Sequence, residues 1–197
     1  MIKKDFKTMR ALNGLRVCGN MDEQALLKII TQSRIRRLKK EHIIEKVSYQ
    51  DKHISKEKNQ YTYKLTSYGK KLTKKFLNKG NFQSGRGNER HNTALGYEYS
   101  QLKQEEQMSS MNEIDLKDYL NEQYVFLLSE NKISEANELY EKMRSMSLID
   151  LTYFTTSNEI CCIEIITKNY SLSTIELKEY TAQEIINATN YSTINIR

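Results

Sequence analysis

Between Thr31 and Lys40 the chain reads TQSRIRRLKK, which sets Arg34, Arg36, Arg37, Lys39 and Lys40 around two apolar positions, Ile35 and Leu38. In a helix this spacing turns Ile35 and Leu38 to one side and Arg34, Arg37, Lys40 and in part Arg36 to the other. A face of this kind addresses a polyanion. Arg can pair bidentately with guanine and Gln with adenine, whereas Lys meets phosphate as a point charge. Gln32, Ser33, Arg34 and Arg37 are the candidates for base edges, Arg36 shares their face, and Lys39 and Lys40 are candidates for phosphates. Further along, Lys52, His53, Lys56 and Lys58 in QDKHISKEKN form a second cationic group suited to phosphate. A helix about 10–12 Å across fits a B-DNA major groove about 12 Å wide. The competing reading of such a run is a solvated face that binds nothing.

The elements that must position these side chains follow from pattern. Of 197 residues, 31 are Lys or Arg and 25 Asp or Glu. The charge is uneven: residues 1–87 carry 22 basic against 7 acidic residues, and the remainder 9 against 18. The stretch KGNFQSGRGNERHN lies between the two parts and has a loop's composition, so it predicts a linker over 81–92. No apolar run reaches the roughly 18 residues of a membrane span, and MIKKDFKTMR lacks a signal-peptide core, so a cytoplasmic protein is expected. Cys18, Cys161 and Cys162 match neither a disulfide framework nor a zinc spacing, and they read as reduced core residues. His42 and His91 have no partners at metal-ligand spacing, and no motif calls for a cofactor.

In the basic part, Phe6, Met9 and Leu12 or Leu15 predict a first helix ending near Gly14 or Gly19. Asn20 or Asp22 caps a short second helix through Leu26, Leu27 and Ile30, and the cationic helix is the third. IIEKVSY and QYTYKLT alternate as a strand pair around the charged tip. SYGKKLTKKFL then starts with a Ser cap and packs Leu72, Phe76 and Leu77 as a closing helix. This order, with RIRRLKKEHIIEKV in the place of recognition helix and first wing strand and YKLTSYGKKL at the wing's exit, resembles the winged helix-turn-helix repressors over about residues 5–78. The resemblance implies that the third helix reads duplex DNA and the hairpin grips its backbone.

In the acidic part, MNEIDLKDYLNEQYVFLLSENKISEANELYEKMRS predicts two helices broken near Asn131. LIDLTYFTT and EICCIEIIT follow as strands turning at Ser157 and Asn158, and LSTIELKEYTAQEIINA as a helix with Ile175, Leu177, Ala182, Ile185 and Ile186 inward. Asp150 in the first strand and Glu164 in the second resemble the Asp and Glu positions of the PD-(D/E)XK nuclease fold, whose carboxylates hold Mg²⁺ for phosphodiester hydrolysis. That family's lysine falls two residues after the Glu, where this chain has Ile166. Lys168 and Lys178 are the candidates to replace it. With no cation at the family's position, the resemblance implies a degenerate domain that does not cleave. The basic module, the string ERHNTALGYEYSQL and this sheet together are similar to the replication-relaxation proteins of plasmids and integrative elements.

The expected protein is therefore α+β: a winged helix-turn-helix over 1–80, a linker over 81–92, and a smaller acidic α/β domain over 93–197 for dimerisation or contact with a protein partner. Its expected function is sequence-specific binding of double-stranded DNA by a homodimer from a bacterium, phage or plasmid, as a transcriptional regulator or a replication or conjugation factor. A metal-dependent nuclease using Asp150 and Glu164, and an adaptor between proteins, are the alternatives.

Overall fold

The computed structural model describes residues 5–50, 59–81 and 89–196. The chain is mixed α and β and divides into two compact units, 1–110 and 111–197.

In the first unit, helix α1 (Phe6–Cys18) begins where the Asp5 carboxylate accepts the Thr8 backbone N–H at 3.0 Å, and it ends at Gly19 with φ 79°. Phe6 is exposed, and every residue from Arg10 to Cys18 is buried, because α1 runs through the middle of the unit. A one-sided apolar stripe was the expectation; a helix surrounded on all sides is the finding. Helix α2 (Glu23–Leu27) is capped by Asp22, which accepts the Ala25 N–H at 2.7 Å, and its Leu27 faces outward. Helix α3 (Gln32–Lys40) starts directly after Thr31.

His42 takes a left-handed φ of 55° to turn the chain from α3 into strand β1 (Ile44–Gln50). β1 pairs antiparallel with β2 (Asn59–Leu65), Ile44 opposite Leu65. Met21 exchanges two backbone hydrogen bonds with Tyr63, at 3.0 and 2.8 Å, and so adds a one-residue rung to this sheet.

Helix α4 (Ser67–Leu77) is capped by Thr66, not by the expected Ser67. The Thr66 hydroxyl accepts the Gly69 N–H at 2.9 Å and donates to the His42 carbonyl at 2.6 Å, locking the start of α4 onto the turn that follows α3. A Cβ on Gly69 would overlap the Ile43 carbonyl oxygen, so the approach requires glycine. These contacts give a physical reason for the Leu-Thr-x-x-Gly string. Leu72, Phe76 and Leu77 are only half-buried, and Gly69 and Thr73 are the buried residues of α4.

The first unit does not end at the expected linker. Residues 82–88 lie outside the described residues, but 89–92 are already helical, and α5 (Glu89–Gln101) and α6 (Gln104–Ser109) pack against α1. The Tyr99 hydroxyl is wholly buried, 2.8 Å from the Arg10 carbonyl and 2.9 Å from that of Gln107, and burial pushes it well above the usual tyrosine range. Gln107 accepts from Arg10 Nε at 2.6 Å. Gly96 sits so close to Asn20 and Met21 that a side chain there would overlap them. The division falls between Ser110 and Met111 because these contacts bind α5 and α6 to the core of the basic unit.

In the second unit, α7 (Glu113–Ser129) opens on a capping box between Asn112 and Asp115. Asn131, with φ 60°, turns the chain into α8 (Ile133–Ser145). Strands β3 (Leu151–Phe154) and β4 (Ile160–Thr167) form the expected hairpin, with Asn158 at φ 66° in its turn. Helix α9 (Leu172–Tyr180), capped by Ser171, continues into a π-helical turn over Thr181–Ile185. Strand β5 (Asn190–Ile196), which was not expected, pairs parallel to β4 and gives the order β3-β4-β5. Leu116, Leu120, Ile149, Cys162, Ala182, Ile185 and Ile186 make the core. Leu177 and Ile175 do not join it: Leu177 is exposed and Ile175 half-buried. The three cysteines are free and buried. Among the described residues, no helix is long and apolar enough to cross a membrane.

Candidate nucleic-acid interface and a buried carboxylate cluster

Ile35 and Leu38 anchor α3 in the core, which fixes where its other side chains go. Arg36, Arg37, Lys39 and Lys40 are exposed. Three of them lie in the last turn, where the helix C-terminus favours positive charge. Arg37 Nε donates to Glu41 Oε1 at 2.9 Å, an exposed i,i+4 pair of small energetic weight. Arg36, Lys39 and Lys40 have no partner among the described residues.

The N-terminal end of α3 is different. Arg34 is half-buried, and its Nη1 donates to Asp5 Oδ1 at 2.6 Å. Gln32 Nε2 donates to Glu23 Oε1, while Gln32 Oε1 is buried without a partner. The Ser33 hydroxyl lies 3.0 Å from that of Thr31. Burial opposes ionisation of Asp5, but the Thr8 N–H and the Arg34 guanidinium outweigh it and hold the carboxyl below its ordinary range. The α3 residues proposed from sequence thus share one helix but fall into two classes, exposed cations toward the C-terminus and, toward the N-terminus, Gln32 and Arg34 held by carboxylates of other elements. Lys52, His53, Lys56 and Lys58 lie outside the described residues. Charge counts also overstate the surface: Arg16 is buried, bonded to Asn13 Oδ1 at 2.9 Å and to the carbonyls of Gly80 and Ser110 at 2.7 and 3.2 Å.

In the second unit, Asp150, which immediately precedes β3, and Glu164 in the middle of β4 come together as expected, and both are buried. Of the two lysines that the sequence offered in place of the family's, one joins them. Lys178, from α9, sets its Nζ 2.6 Å from Glu164 Oε1 and donates to the Leu148 carbonyl at 2.6 Å. Lys168, the other candidate, is exposed. Helical periodicity from the Ser171 cap brings position 178 under the sheet, which a count of residues after Glu164 does not reveal. The Tyr170 hydroxyl donates to the same Glu164 oxygen at 2.9 Å, and the Asp150 N–H donates to Oε2 at 3.1 Å. Asp150 Oδ2 accepts the Ile165 N–H at 2.9 Å. Burial, then the Asp150 carboxylate, push Glu164 up to about 7 against the pull of Lys178.

No family model, curated protein or solved structure matches this chain. Sequence reasoning missed Asp5, Glu23 and Tyr170. Only Asp5 and Glu23 left a signal, as acidic residues at two helix starts in an otherwise basic stretch. Among the described residues no cluster of three or more metal-ligating side chains occurs.

Proposed function

We propose that this protein binds double-stranded DNA sequence-specifically through a winged helix-turn-helix in its first unit, with α3 in the major groove and the β1–β2 hairpin as the wing. The observation that carries the reading is α3 itself: Ile35 and Leu38 are fixed in the core, while Arg36, Arg37, Lys39 and Lys40 are exposed on a helix that leads directly into a hairpin. The order α1-α2-α3-β1-β2 and the Met21–Tyr63 rung support the winged arrangement. A duplex carries one negative charge per about 1.7 Å of axis, so exposed cations at this spacing release counterions on binding.

The protein acts in the cytoplasm as a regulator of transcription or an accessory factor of replication or transfer. The second unit serves dimerisation. Val125, Phe126 and Ile133 on α7 and α8 are at least half exposed, a feature of surfaces that meet a partner. A twofold dimer brings two α3 helices to half-sites about 34–36 Å apart. The test is selection of a bound sequence from a random duplex pool, followed by affinity measurement on selected and random duplexes. Arg37→Ala is expected to lose about 1–3 kcal/mol on the selected site and much less on random DNA. Equal losses on both contradict α3 as the reader.

A second reading, metal-dependent phosphodiester hydrolysis at Asp150 and Glu164, is favoured by one observation: Lys178, one of the two candidates to replace the family's lysine, sets its ammonium against Glu164. Against it, Glu164 is completely buried and both its oxygens are engaged within the chain. We expect no cleavage of single- or double-stranded DNA with Mg²⁺ or Mn²⁺. Nicking that requires the metal and disappears in Glu164→Gln establishes the hydrolytic reading instead.

A further inference from the structure

Asp5 lies at the first turn of α1, yet it reaches the reading end of α3. One of its oxygens, Oδ1, accepts both the Thr8 N–H at 3.0 Å and Arg34 Nη1 at 2.6 Å. Arg34 Nε and Nη2 have no partner among the described residues. A guanidinium offers its donors as a rigid planar fork, so a carboxylate on one nitrogen orients the rest. The same carboxylate neutralises the charge that would otherwise draw Arg34 to any phosphate. Glu23 treats Gln32 alike, holding the amide nitrogen while the amide oxygen is left unpartnered.

We infer that Asp5 is a specificity-determining residue: it withholds Arg34 from phosphate and aims the free edge of the guanidinium at a guanine in the major groove. This rests on the DNA-binding reading above and assigns a division of labour within it. Arg36, Lys39 and Lys40, which carry no such counter-charge among the described residues, hold the backbone of any duplex; Arg34 acts only where a guanine presents O6 and N7. A carboxylate that merely stabilised the fold would leave the binding of random DNA unchanged. A carboxylate that occupies Arg34 suppresses it.

The test uses the full chain and a random-sequence 30-base-pair duplex, with affinity measured across a range of salt for four proteins: wild type, Asp5→Asn, Arg34→Ala and the double variant. Asn caps a helix about as well as Asp, so Asp5→Asn keeps the start of α1, and a thermal melt checks this. Asp5→Asn is expected to bind random DNA several-fold more tightly, with the slope of log K against log salt steeper by about 0.9, the contribution of one further phosphate contact. Arg34→Ala is expected to change random binding little in wild type and to abolish the steeper slope in the Asp5→Asn background. That comparison removes the long-range effect of the deleted charge, which is common to both members of each pair. Sequencing the fraction bound from a random pool is expected to show a guanine enriched by wild type and lost in both single variants. An equal effect of Arg34→Ala in the two backgrounds, whether large or absent, overturns the inference while leaving DNA binding intact. Failure of wild type and all variants to bind the duplex at about 50 mM salt, where phosphate contacts are strong, overturns the DNA reading and this inference with it.

Discussion

Replacing Lys178 by Met tests the buried Lys178–Glu164 pair. Lys178 and Glu164 are 7% and 0% exposed at the side chain, and the Lys Nζ has two short contacts, to Glu164 Oε1 and to the Leu148 carbonyl. Met preserves most of the stem's volume, so the change isolates the ammonium. Above neutral pH Glu164 is ionised, and removing its cation leaves a buried carboxylate unpaired, a defect of about 3–5 kcal/mol. Below about pH 6 the carboxyl keeps its proton with or without Lys178, because its folded value already lies at about 7. The loss then shrinks toward the cost of the orphaned Leu148 carbonyl, about 1–3 kcal/mol. The double variant Glu164→Gln/Lys178→Met removes both charges and is expected to recover part of the loss at pH 8. Urea unfolding at pH 5.5 and pH 8, with amide exchange read on β4, measures all three proteins. A Lys178→Met protein within about 0.5 kcal/mol of wild type at pH 8 refutes the pairing, since only a surface position behaves in that way.

Gly69→Ala is expected to destabilise the first unit by about 1–3 kcal/mol or more, because the added methyl meets a backbone carbonyl that cannot rotate away; an unchanged thermal midpoint contradicts that packing. Stability is also expected to depend on pH through Glu164. Its folded value lies above the roughly 4.3 of an unfolded glutamate, so the folded chain holds a proton that the unfolded chain has released. The contribution is complete below about pH 4.3 and is lost as pH rises through about 7, and Glu164→Gln should flatten this slope. Identical slopes in the two proteins between pH 5 and pH 8 place the titration elsewhere.

What could be read in the sequence divides along physical lines. Helices α1 to α4 and α7 to α9 and strands β1 to β4 were legible from periodicity and caps, as was the burial of Ile35 and Leu38, since local pattern and tertiary demand agree there; α5 and α6 were not. The end of the first unit was not. The switch from basic to acidic composition near residue 87 reports what is dissolved at the surface, whereas Leu95, Gly96, Tyr99 and Gln107 are joined to the core of α1 by burial and hydrogen bonds. A fragment ending at residue 87 removes those side chains and exposes the face of α1 that they cover. Strand β5 was missed because NYSTINI has no fully buried residue and lies at the sheet edge, so the parallel ladder with β4 determines it more than its own pattern does. In the candidate sites, residue types identified the cationic helix and the two carboxylates. Their partners Asp5, Glu23 and Tyr170 could not be found from spacing, because each arrives from another element.

The most direct test of duplex recognition by α3 is the salt dependence of binding by the full chain, compared between wild type and the triple variant Arg36→Ala/Lys39→Ala/Lys40→Ala. All three side chains are exposed and outside the core, so the fold is expected to survive the substitutions. Each phosphate contact contributes about 0.9 to the slope of log K against log salt. If all three cations meet phosphate, the triple variant binds a random duplex far more weakly and its slope is shallower by about 2.7, three times that value. A triple variant with the affinity and slope of wild type contradicts the assignment of α3 to DNA.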